Sequence, residues 1–176
     1  MSTLVTAFGR PQSGEYNPYY DRYISLIDSD DVITVLEKQA AETVALLKSA
    51  GAKADFRYAP GKWSVKEVLA HVNDTERIMT YRALRVSRGD KTPMAGFEQD
   101  DYIRDGKFGQ RTLPDLVAEF ADIRKATLSF FRHLDAEAGA RRGTANNDVI
   151  SARALPYIIA GHELHHRRIL QERYLK

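Results

Sequence analysis

Apolar residues recur along this chain mainly at intervals of three and four, the period of amphipathic helices, and mark out four long segments. The first follows short polar residues at 29–31, which can cap free N–H groups. It carries Val32, Val35, Leu36, Leu46 and Leu47 on one stripe, and Ala50-Gly51 ends it. The second has the clearest start: Pro60-Gly61 breaks the backbone, and Ser64 with Glu67 forms a capping box. Its inward face is expected to hold Val65, Val68, Leu69, Val72 and Met79, with Gly89 as its end. The third begins at Thr112 and Asp115, with Pro114 in the tolerant first turn, and repeats Leu113, Leu116, Val117, Phe120, Ile123, Thr127, Phe130, Phe131 and Leu134. The fourth covers residues 151–174, with Leu155, Ile158, Ile159, Ile169 and Leu170 inward and a bend expected at Pro156.

The intervening stretches lack that period. Residues 89–111 read as a long structureless loop, a length often associated with binding sites and lids. A second polar loop runs through Gly139, Gly143 and Asn146-Asn147, and no alternation is long enough to predict a strand. Residues 1–28 read as an irregular arm that lays tyrosine rings on the domain surface, with one short helical turn near 19–27. The predicted fold is therefore all-α: a four-helix bundle over 29–176 with an N-terminal arm, 1–28, packed on it.

Composition narrows the function. Hydrophobic residues make up 43% and charged residues 28%, the balance of a globule with a buried core. Twenty-six basic and 24 acidic residues nearly cancel to +2, and no Lys/Arg run would track phosphates, so no nucleic-acid partner is expected. No stretch reaches the roughly 20 apolar residues of a membrane helix, and the first 20 residues lack the apolar centre of a signal peptide. A cytoplasmic protein is the expectation. The chain has no cysteine, which removes disulfides, thiolate catalysis and cysteine-held metals, so any metal must be held by His, Asp or Glu.

The histidines then carry the chemistry. His162 and His166 are four residues apart, so on a helix both rings leave one face one turn apart, beside Ile158, Ile159, Ile169 and Leu170. His71 lies beside the inward stripe of the second helix. Spacing alone leaves two readings open, separate core histidines or three ligands of one metal in the bundle centre. His133 reads as a helix-end or surface residue; His165 is rotated off the pair, toward solvent, a subunit interface or the ligands' outer shell. The run from His162 to His166 also fits H-E-x-x-H, in which Glu163 would be a general base. The context of zinc proteases is missing: Ile169 and Glu172 stand where one class needs Gly and His. Glu163 thus reads either as a base or as a solvated helix-face acid. Asp74, three residues beyond His71, either orients that imidazole or pairs with Arg77.

Several motifs in order resemble the DinB-like (DinB/YfiT-type) superfamily: YAPGKWS at 58–64, EVLAHVNDTER at 67–77, YRAL at 81–84, GFEQD at 96–100 and IAGHELHH at 159–166. The resemblance implies a four-helix bundle with a divalent metal on three histidines, at positions filled here by His71, His162 and His166. It also implies a homodimer and, in some relatives, transfer of low-molecular-weight thiols. Zinc or nickel leads among the expected metals, and iron, cobalt and manganese also accept imidazole. Three imidazoles leave positions open for a ligand. Three functions follow: a thiol S-transferase acting on a small electrophile, a hydrolase of a small ester or amide using metal-bound hydroxide with Glu163 or Asp74 as base, and a non-catalytic metal-binding or sensing protein.

Overall fold

In the computed structural model, which describes residues 7–176, the helices in chain order are α1 (Asp21–Ile24), α2 (Val32–Ser49), α3 (Val65–Ser87), α4 (Gln99–Asp105), α5 (Leu113–Phe131), α6 (Ala136–Ala140) and α7 (Ala154–Ile169). The four long ones, α2, α3, α5 and α7, pack on one another as the bundle. Their starts follow the expected chemistry. Asp31 accepts the Thr34 N–H, the Thr112 hydroxyl accepts the Asp115 N–H, and the Ser64–Glu67 box closes in both directions. Pro156 lies in the first turn of α7, where an N–H would lack a helical partner anyway, so it starts the helix. At its other end α7 widens into a π-helical turn, Leu170–Tyr174, in which the Leu175 N–H reaches the Leu170 carbonyl.

Two expected loops are structured. The 89–111 segment contains α4 and a 3₁₀ turn at Phe108–Gln110. The second contains α6 and an antiparallel hairpin, β1 (Arg142–Ala145) with β2 (Asp148–Ser151), in register Ala145↔Asp148. Asn146 and Asn147 both take positive φ (52° and 65°), as a two-residue hairpin turn requires. Met94 extends the hairpin edge, accepting from Asn146 and donating to Thr144. The fourth helix accordingly begins at Ala154, whose N–H donates to the Ser151 hydroxyl. The first six residues of the arm lie outside the described residues. From residue 7 onward the arm does more than cover the surface: Phe8, Ile24 and Ile27 join the core, and buried Glu15 binds Ser151 and Arg153.

The apolar interior forms two clusters. One gathers Leu36, Met79, Val86, Phe131, Leu155 and Ile158; the other gathers Leu47, Val65, Leu69, Leu116, Phe120 and Leu170. Along every bundle helix the residues between them are polar and buried: Gln39 and Thr43 on α2, Thr75 and Glu76 on α3, Arg124 and Thr127 on α5, His162 and Glu163 on α7. Arg124, 1% exposed, organises this layer. It donates two bonds of 2.8 Å to Glu76, one of 2.5 Å to Glu163 and one of 2.9 Å to the Leu36 carbonyl, and Thr43 donates to the other Glu163 oxygen at 2.5 Å. Burial opposes the charge on Arg124, but the two carboxylates more than offset it and raise its already high pKa. Removing one partner of a buried ionic cluster strands the others, so Arg124→Met is expected to destabilise the fold by about 3–5 kcal/mol. Urea unfolding measures this directly; a loss below about 1 kcal/mol would mean that the layer is not structural.

Candidate metal centre

The polar layer contains the three histidines singled out by spacing. The capping box sets the phase of α3 and turns His71 inward, and one turn of α7 separates His162 from His166. The donor atoms of the three lie within 4.8 Å of one another. His162 Nε2 is 2.9 Å from His71 Nε2 and 3.1 Å from His166 Nε2. Metal–nitrogen bonds of about 2.0–2.1 Å put paired nitrogens about 2.9–3.4 Å apart between right-angled and tetrahedral arrangements, so both distances fit a shared ion. Hydrogen bonding fits less well. An imidazole nitrogen has one in-plane site, either a proton or a lone pair, and His162 Nε2 faces two neighbours with it. A cation satisfies all three lone pairs at once.

Aromatic rings fix the imidazoles. Trp63 lies 4.9 Å from His71 between ring centres, and Tyr23 lies 5.3 Å edge-on to His162. Tyr23 comes so close because the residue before His162 is Gly161, where a Cβ would lie 2.1 Å from the Tyr23 carbonyl oxygen. His71 and His162 open on a cavity of about 440 Å³. Its walls come from α3, from Tyr19, Tyr20 and Tyr23 of the arm, from residues 96–100 and from the hairpin turn. The volume suits a small molecule.

In a family comparison, residues 35–170 match the DinB superfamily. The chain belongs to that superfamily. Among solved structures this DinB-superfamily chain is similar to YfiT from Bacillus subtilis, described as a probable metal-dependent hydrolase with an unusual four-helix bundle topology. The two share 16% identity at a TM-score of 0.64, over 82% of this chain and 89% of that one. The likeness shows a shared fold. No curated protein matches the chain. No helix among the described residues is long and apolar enough to cross a membrane.

Glu163 is not the solvated acid that the sequence allowed: it is 2% exposed and shared between Arg124 and Thr43. Asp74 pairs with Arg77 at 3.6 Å, and burial raises its pKa; Arg77 continues to Glu119 at 2.6 Å. His165 packs between Tyr23 and His166 outside the three-nitrogen cluster, and His133 is exposed at the end of α5. Sequence reading passed over Arg124 and Thr43. The signal for Arg124 was a guanidinium four residues from Phe120 and three from Thr127, on an otherwise inward stripe.

Burial pushes the His71 imidazole down to about 4 and that of His166 to about 3. Burial, with His166 and His71 alongside, holds His162 well below its usual range. All three are neutral near pH 7 and free to donate lone pairs. The unfolded chain takes up their protons near the ordinary value of about 6.5. Their stabilising contribution is thus complete above about pH 6.5 and lost as pH falls toward the folded values. The Tm of the metal-free protein is expected to fall from about pH 7 to about pH 4. It should fall less steeply in a His71→Ala, His162→Ala, His166→Ala variant, and parallel profiles would contradict this account. Gly161→Ala is expected to push Tyr23 off His162, which the tyrosine near-ultraviolet dichroism would register along with weakened metal binding.

Proposed function

We propose that the protein is a divalent-metal enzyme that transfers a low-molecular-weight thiol to a small electrophile, with His71, His162 and His166 holding the metal. The observation that carries this reading is the 440 Å³ cavity opening directly on two of three convergent histidines. A site built only for structure is normally closed by a fourth ligand. When bound, the metal would supply a positive field that keeps a thiol in its thiolate form and polarises an electrophile.

The chain's own residues favour sulfur over water as nucleophile. Both oxygens of Glu163 are engaged by Arg124 and Thr43, so the acid of the H-E-x-x-H run is occupied. Asp74 is directed to Arg77 and is not among the cavity-lining residues. A thiol ionises readily without a dedicated base, whereas a water here would have only the metal's field to ionise it and no free carboxylate beside it. The balanced reaction forms a carbon–sulfur bond, expels the leaving group with its electron pair and releases the thiol proton to solvent. Tyr23 and Trp63 orient the imidazoles, and Tyr19 and Tyr20 supply apolar edges for the electrophile. The second reading, a metal-dependent hydrolase of a small ester or amide, draws support from the description of YfiT.

Protein made without a polyhistidine tag is expected to hold about one divalent metal per chain, with zinc or nickel leading. The His162→Ala, His166→Ala variant should hold little. Turnover of activated aryl halides or epoxides should require added thiol and fall at least about 100-fold in that variant. Ester cleavage without thiol would select the hydrolase. Bound metal with neither activity would select the non-catalytic binding or sensing role.

A further inference from the structure

The stripe of α3 that carries His71 continues along the cavity wall through Thr75 and Met79 to Arg82. Arg82 is only 3% exposed. Its Nη2 donates to the Ala95 carbonyl at 2.8 Å, its Nη1 meets the Met79 sulfur at 3.8 Å, and Tyr20 lines the same cavity. Phe97 lies 5.9 Å from the guanidinium carbon. No carboxylate among the described residues reaches it at ion-pair distance. The other buried arginine differs: Arg124 has Glu76 and Glu163.

A buried guanidinium without a counter-ion is costly, and a thioether sulfur is a weak acceptor. Holding the Ala95 carbonyl does not require a charge, since a neutral amide would do so without burying one. The cavity acids do not supply the missing partner. Asp148 accepts from Asn17 at 2.6 Å, while Glu98 and Asp100 are exposed at the rim. The positive charge therefore sits inside the cavity and the negative charges sit at its mouth and side.

We propose that Arg82 is a specificity-determining residue that binds a carboxylate on the small molecule occupying this cavity, at the end remote from the histidines. The inference rests on the cavity being the substrate site of the proposed enzyme. A guanidinium presents a planar fork of donors that matches a carboxylate, and Tyr20 and Phe97 line the cavity around it. Eleven residues separate His71 from Arg82, about 16 Å along the helix axis, and the arginine side chain leans back toward the helix start. A ligand with its reacting group and its carboxylate at opposite ends of a short chain spans that interval. The carboxylate belongs either to the thiol or to the electrophile.

Calorimetry with two pairs of probes tests this. The pair 6-mercaptohexanoate and 6-mercaptohexan-1-ol is titrated into cobalt-loaded protein; the pair hexanoate and hexan-1-ol is titrated into metal-free protein. Each acid is expected to bind roughly tenfold more tightly than its alcohol, the gain of a charge-assisted contact. Arg82→Met should abolish the preference and Arg82→Lys should keep part of it. Equal binding of acid and alcohol to the wild type overturns the proposal, as does a preference that survives in Arg82→Met. The wild-type comparison stands even if Arg82→Met does not fold. Failure to take up cobalt would count against the metal reading alone, because the metal-free pair still reports on the arginine. Conversion of 6-mercaptohexanoate to an electrophile conjugate would place the carboxylate on the thiol. Tighter binding of an electrophilic acid than of its ester would place it on the acceptor.

Discussion

The contact between Arg124 and its two glutamates governs the architecture of this protein. A single guanidinium ties α3 to α7 through carboxylates and reaches α2 through the Leu36 carbonyl, while Thr43 adds a second link from α2 to α7. All four bundle helices are thereby pinned at one level, and the apolar core divides above and below it. Glu163 is next to His162 in the chain, so the buried ionic layer and the histidine cluster meet on one turn of α7.

Much of this organisation was legible in the sequence. The capping chemistry at Ser64 and Glu67 and the three–four spacing of Val65, Val68, Leu69 and Val72 are local, and the helix forms where they point. The i, i+4 pair of His162 and His166 is local too, and the bundle brings His71 to it. The hairpin was hidden because its strands are four residues each and lack a long alternation; Asn146-Asn147 was the available cue. The environment of Glu163 depended on Arg124, 39 residues away, and Thr43, 120 away. No period reveals such a pairing.

The cavity had the same long-range origin. Its walls come from the arm, α3, the 96–100 segment and the hairpin; Met94 bridges to the hairpin edge and Gly161 lets α1 settle on α7. The length of the 89–111 segment suggested a binding site. The residue facing inward from α3, Arg82, became distinctive only when its lack of a carboxylate partner among the described residues could be seen.

The wide turn at the end of α7 ties the first histidine to a distant part of the chain. By adding one residue to that turn, the helix brings the Tyr174 hydroxyl to the Trp63 carbonyl at 2.8 Å, and Trp63 in turn lies against His71. Restoring a regular α-helical count there would rotate Tyr174 by roughly 100° and break its bond to the Trp63 carbonyl. The terminal winding of one helix thus braces an aromatic residue that packs on a histidine of another, and a one-residue deletion between 170 and 174 would slacken that brace without touching a histidine.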